Sequence, residues 1–154
     1  MNHDHYSDDY LAGLLSSVKN VAVVGASVKD DRPSHWICGF LLGKGYHVFP
    51  VNPAYEGQTL MGQKVYAHLD DIPEHIDMVD VFRPAQDFAG VVDEVLALSD
   101  RPQVIWAQLT VRDDTAAQKA EDAGLKVVMD RALAVEYALV RRAHHQGPAE
   151  LDIA

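Results

Sequence analysis

The chain has 154 residues, 48% of them hydrophobic, which is enough for one core and short for two domains. Its formal net charge of −10, with 13 scattered basic residues, excludes the basic surface that a nucleic-acid binder needs. No apolar run of about 18 residues could span a membrane. The acidic start "MNHDHYSDDY" is unlike a signal peptide, and the single cysteine, Cys38, excludes an intrachain disulfide and fits a reducing, cytoplasmic setting.

Taken in order, "SDDYLAGLLSS" (7–17) predicts a short helix capped by Ser7. "NVAVVG" (20–25) is an apolar run closed by glycine, as in a strand buried on both faces. Ser34 is expected to cap a helix through "HWICGFLLGKG", stopped at Gly43 and Gly45. "YHVFPV" (46–51) reads as the second strand, "NPAYEGQTLMG" as a loop, and "KVYAHLDDIP" as an extended piece and a turn. "DMVDVF" (77–82) is the third strand, and a helix over 84–99 has Pro84 in its first turn. "QVIWAQL" (103–109) and "LKVVMD" (125–130) are the last two strands, with a helix over 113–124 between them and another in "ALAVEYALVRR". The alternation predicts a single α/β domain: a Rossmann-like, doubly wound parallel sheet of about five strands with helices on both faces. Residues 1–19 are expected to form a helical extension, 20–142 the sheet domain and 143–154 a loose tail.

Ligands of such sheets sit beyond the carboxyl ends of the strands. The candidates are therefore Gly25–Ser27, Val51–Tyr55, Phe82–Pro84, Gln108–Thr110 and Asp130–Ala132. Each also has a plain structural reading: Gly25 as a tight turn, Asn52–Pro53 as a turn, Arg83 as the partner of a surface acid. The first loop keeps one glycine, Gly25, of the G-x-G-x-x-G pattern that lets backbone approach a pyrophosphate. Helix-end amides, the hydroxyls of Ser27 and Ser34 and the charge of Arg32 still suit a phosphate. The second strand ends in "PVNP", without the acid that usually holds an NAD ribose. Asn52 there could bond a base or sugar, with Pro50 and Pro53 stiffening a rim beside Tyr55. Cys38 lies in the apolar "WICGFLL" and reads as a buried structural thiol. His35 could reach a phosphate, although solvent exposure is the plainer expectation. His144 and His145 make a poor metal site.

Five segments, "VAVVGAS…RPS", "GYHVFPVNP", "VDVFRP", "WAQLTVR" and "GLKVVMDRALAVEY", resemble the small stand-alone CoA-binding proteins, which are similar to the N-terminal domain of the succinyl-CoA synthetase alpha subunit. The resemblance runs from Val21 to Tyr137. It implies coenzyme A or an acyl-CoA as a small-molecule nucleotide ligand. The diphosphate would lie near Gly25, Ala26, Ser27, Arg32 and Ser34. The adenosine would lie near Val51, Asn52, Pro53 and Tyr55, and the pantetheine arm would pass Phe82, Arg83 and Gln108. The synthetase's active histidine belongs to a second domain outside the match. Ala132 stands where many relatives carry a cysteine after the Asp-Arg pair. The resemblance thus carries over a ligand and no reaction; it leaves the protein partner unnamed and a homo-oligomer open. Two other readings use the same fold: an NAD(P)-dependent oxidoreductase, with Arg83 serving a 2′-phosphate, and an interaction protein whose nucleotide pocket is vestigial.

Overall fold

A computed structural model of the chain describes residues 1–143. Ser7 caps α1 (Asp8–Ser17) by accepting the Tyr10 amide. Then come β1 (Asn20–Val24), α2 (Pro33–Gly43), β2 (His47–Val51), β3 (Thr59–Leu60) and β4 (Gln63–Lys64). The second half holds β5 (Met78–Val81), α3 (Ala85–Ala97), β6 (Val104–Ala107), α4 (Asp114–Asp122), β7 (Lys126–Val128) and α5 (Leu133–Ala143). Five strands form one parallel sheet in the order β2-β1-β5-β6-β7.

Alternate residues of each central strand enter opposite core layers. Val21, Val23, Met78, Val104 and Trp106 pack with Leu14, Leu15, Leu41 and Tyr137 of α1, α2 and α5. Ala22, Val24, Val79, Val81 and Ile105 pack with Phe88, Val92 and Ala117 of α3 and α4. Burial on both faces is why these strands read as unbroken apolar runs. Asp80 breaks the pattern: it is fully buried in β5, with Val23 beside it on β1 and Trp106 on β6.

An edge strand exposes backbone groups that must find partners. On β7 and just beyond it, tyrosines of the N-terminal segment supply them. The Tyr10 hydroxyl donates to the Val127 carbonyl, and the Tyr6 hydroxyl accepts the Met129 amide. On the other edge, the Pro50 carbonyl points away from β1 and accepts the Tyr66 amide; the proline nitrogen faces the same way, so the ladder to β1 does not need the N–H it lacks.

Three expectations need correcting. Ser34 does not cap α2; the N-cap is Arg32, Pro33 takes the first helical position, and Ser34 lies one residue inside. Pro84 is the N-cap of α3 rather than a first-turn residue. The loop after Val51 holds a 3-10 turn (Pro53–Tyr55) and the β3–β4 hairpin. Ala143 still belongs to α5, and the remainder of the tail expected over 143–154, with His144 and His145, lies outside the described residues.

Candidate functional site

In this strand order the chain winds one way from β1 to β2 and the other way from β5 onward. The connections after β1 and β5 therefore lead to helices on opposite faces of the sheet, α2 and α3, and a crevice opens at the carboxyl edge. A cleft of about 700 Å³ lies there, within the usual range for a small-molecule site. Of the residues singled out above, Gly25, Ser27, Arg32, Ser34, Asn52, Tyr55, Phe82, Arg83 and Gln108 line it; Ala26, Val51 and Pro53 do not. Ala26 and Val51 are buried in the frame, where the Val51 carbonyl accepts the amides of Gly25 and Ala26. Pro53 is exposed outside the cleft.

Gly25 sits at φ +85°, and a Cβ built on it would stand 2.5 Å from the Phe82 carbonyl oxygen. No side chain fits at that distance, so this glycine lets the β1 and β5 loops meet. Ser34 Oγ accepts the Ser27 amide, while Ser27 Oγ accepts the Lys29 amide. Each hydroxyl keeps its own hydrogen to donate. His35 is half-buried rather than exposed, with Nδ1 3.1 Å from the Ser27 carbonyl oxygen. Asn52 is committed at both ends: Nδ2 donates to the Ala26 carbonyl and Oδ1 accepts the Ala54 amide. Its side chain thus ties the β2 loop to the β1 loop.

The positive potential comes from helix ends and arginines. Residues at the N-termini of three helices line the cleft: Arg32 to Ser34 of α2, Pro84 of α3, and Leu133 and Ala134 of α5. The caps of α2 and α3 make no side-chain hydrogen bond, and such ends carry free N–H groups and a partial positive charge. Arg83 faces Asp87 at 3.5 Å and Arg32 faces Asp31 at 3.7 Å, both in exposed pairs. Pairs of this kind are weak and leave the guanidinium groups free to re-pair with a ligand. Trp36, Ile37, Leu109, Val111 and Leu133 add apolar side chains to the same lining. At the rim, Thr110 holds φ +72°, rare for a β-branched residue; its amide donates to Asp130 Oδ1 at 2.7 Å.

A second cleft of about 710 Å³ lies among Asp70, Glu74, Glu94 and Asp100, beside the carboxyl end of α3. Acidic side chains and the negative end of a helix make it the wrong place for a polyanion.

Residues 19–138 match the CoA binding domain family. The chain belongs to that family. Among its relatives is the uncharacterized protein YneT of Bacillus subtilis, 35% identical over 128 residues that cover 83% of this chain and 92% of the other. The alpha subunit of an ADP-forming acetate–CoA ligase I from Pyrococcus furiosus is 33% identical over 84 residues, 52% of this chain; the match spans 18% of that subunit. A solved structure from Thermus thermophilus superposes with a TM-score of 0.82 at 38% identity, covering 88% of this chain and 99% of that one. A cleft does lie at the carboxyl edge, where the strand-end rule looked for one. The rule reached Leu109, Thr110 and Ala132 as loop neighbours but passed over Trp36 and Ile37. Those two enter from the first turns of α2, and the signal for them was the adjacency of "HWI" to the first loop.

Proposed function

We propose that this protein binds coenzyme A or an acyl-CoA in the cleft at the carboxyl edge of its sheet, as a binding module with no catalytic group of its own. The observation that carries the reading is the meeting of three helix N-termini, Arg83 and a set of apolar side chains in one cleft. CoA has the same division: a charged nucleotide end and a long, mostly neutral arm. The diphosphate belongs at Gly25, Ser27, Ser34 and the start of α2, the adenosine beside Tyr55, and the arm along Phe82, Gln108 and Leu109. Asn52 braces the two loops with one bond at each end of its amide, and its second Nδ2 hydrogen is left for the adenosine. The binding-module reading is supported at Cys38, whose thiol burial pushes up to about 12, so it stays protonated and unreactive. A reducing, cytoplasmic setting suits that thiol.

A thermal melt tests the reading. A ligand bound only to the folded state at a hundred times its Kd stabilises it by about 2.7 kcal/mol, a rise of roughly 5–10 °C for a domain of this size. CoA or acetyl-CoA at 1 mM should produce that rise, and NAD and NADPH should not. No shift with either thioester or free CoA would refute the proposal.

A further inference from the structure

The cleft's polar lining includes one group whose direction is set from inside the core. Gln108 follows β6 and lines the cleft, and its Nε2 donates to Asp80 Oδ1 at 2.6 Å. Asp80 is fully buried, and its Oδ2 has no hydrogen-bond partner. Gln108 Oε1 makes no hydrogen bond among the described residues and is not sealed from solvent, because Asp80 Oδ2 is the sole buried side-chain polar atom there without a partner. An ionised carboxylate only accepts, so it must face the amide's nitrogen end. The carbonyl end is then left for the cleft.

We infer that Asp80 is a positioning residue that fixes the Gln108 amide with its carbonyl toward the cleft, so that this point selects a ligand group that donates an N–H. The assignment rests on the CoA reading, in which the donor is an amide N–H of the arm. Its conditional side follows from the same geometry. When Asp80 takes up a proton, its hydroxyl can donate to Gln108 Oε1. A protonated carboxyl both donates and accepts, so it no longer dictates which end of the amide it faces; the amide is free to turn and to offer the cleft an N–H instead of a carbonyl.

Asp80 is placed to make that exchange near neutral pH. Burial raises its carboxyl to about 7, against the lowering effect of the Gln108 hydrogen bond. Its neighbours on β1 and β6, Val23 and Trp106, carry no charge. From α2 the titratable group that feels its charge is Cys38, itself protonated throughout this range.

The test has two arms. In the first, CoA and adenosine 3′,5′-bisphosphate, which lacks the arm, are titrated into the wild type and Asp80→Asn from pH 5.5 to 8.5. An asparagine side chain carries a donor and an acceptor at every pH, as protonated Asp80 does, so it mimics that form in no longer fixing which way the Gln108 amide faces. Comparing the two proteins at each pH cancels the titration of the ligand's own phosphates. Asp80→Asn should bind CoA about fivefold more weakly at pH 8.5, the worth of one hydrogen bond, and equally at pH 5.5. The bisphosphate should not distinguish the two proteins at any pH. In the second arm, without ligand, the side-chain amide resonances of Gln108 should move with the Asp80 carboxyl titration and stand still in Asp80→Asn. A pH-independent CoA ratio, or amide resonances that ignore the carboxyl, overturns the assignment while both probes still bind. If the wild type binds neither probe, the CoA reading itself falls and takes the assignment with it.

Discussion

Gly25 and Asp80 both sit where another residue would be expected: one at a positive φ with no room for a Cβ, the other a carboxyl buried inside the sheet. Gly25 combines positive φ with a backbone approach that leaves no space for a Cβ. The left-handed conformation alone costs a side chain about 1–2 kcal/mol, and the contact with the Phe82 carbonyl adds to it. Gly25→Ala should therefore lose about 2 kcal/mol or more in urea denaturation; a loss below about 0.5 kcal/mol would show that the two loops can part freely. Asp80 has a pH signature of its own. Its carboxyl titrates at about 7 in the fold, above its ordinary value of 3.8. From pH 4 to 7 the folded state holds a proton that the unfolded chain has released, so this group's contribution to stability falls as pH rises through that window. Three pH units at 1.36 kcal/mol each set a ceiling of about 4 kcal/mol. Asp80→Asn removes the titration, and denaturation curves at pH 5 and pH 8 should lie closer together for it than for the wild type. An unchanged slope would mean that Asp80 ionises freely within the sheet.

At the scale of elements, legibility followed burial. β1, β5 and β6 were readable because both faces are covered, which forces apolar residues at every buried position except Asp80. That one acid in "VDVF" was itself a signal, since a carboxylate inside a doubly buried strand needs a reason. The β3–β4 hairpin was not readable: each strand has two residues, Thr59–Leu60 and Gln63–Lys64, too few to show a period. The start of α2 was misplaced because Ser34 looked like a cap, although Pro33 already marked the first helical position. At the cleft, the rule of strand ends pointed to the lining loops, while the tie that Asn52 makes to the β1 loop had no sign in the sequence: a loop amide looks the same there whether or not it also braces a neighbouring loop. The N-terminal segment also does more than extend the fold. The Tyr6 ring is buried, and its hydroxyl partners both the Met129 amide and His3 Nδ1 at the edge of the sheet. Tyr6→Phe keeps the packing but strands a buried amide, which costs about 1–3 kcal/mol. A melt unchanged within 1 °C would show that water replaces the hydroxyl and that the segment does not protect β7.

Over the whole molecule, a polyanionic ligand and a host of net charge −10 repel each other at long range, while the helix ends and arginines at the cleft attract it at short range. The two fields differ in reach, and salt separates them. At about 0.01 M ionic strength the screening length is about 30 Å, so approaching CoA feels the entire acidic body; at 0.15 M it is about 8 Å, and only the cleft remains in view. The association rate constant should therefore rise with added salt, opposite to the fall seen when attraction steers encounter. The dissociation rate should rise too, because the same salt weakens the contacts at Arg83 and at the start of α2, and affinity should change less than either rate. Trp36 lines the cleft and is 59% exposed, which makes its fluorescence a direct reporter of arrival. Stopped-flow mixing with CoA at 10 and 150 mM NaCl should show association about two- to threefold faster at the higher salt, a modest effect on the usual scale of electrostatic steering. Slower association at high salt would mean that the local positive field extends beyond the acidic surface and governs the approach.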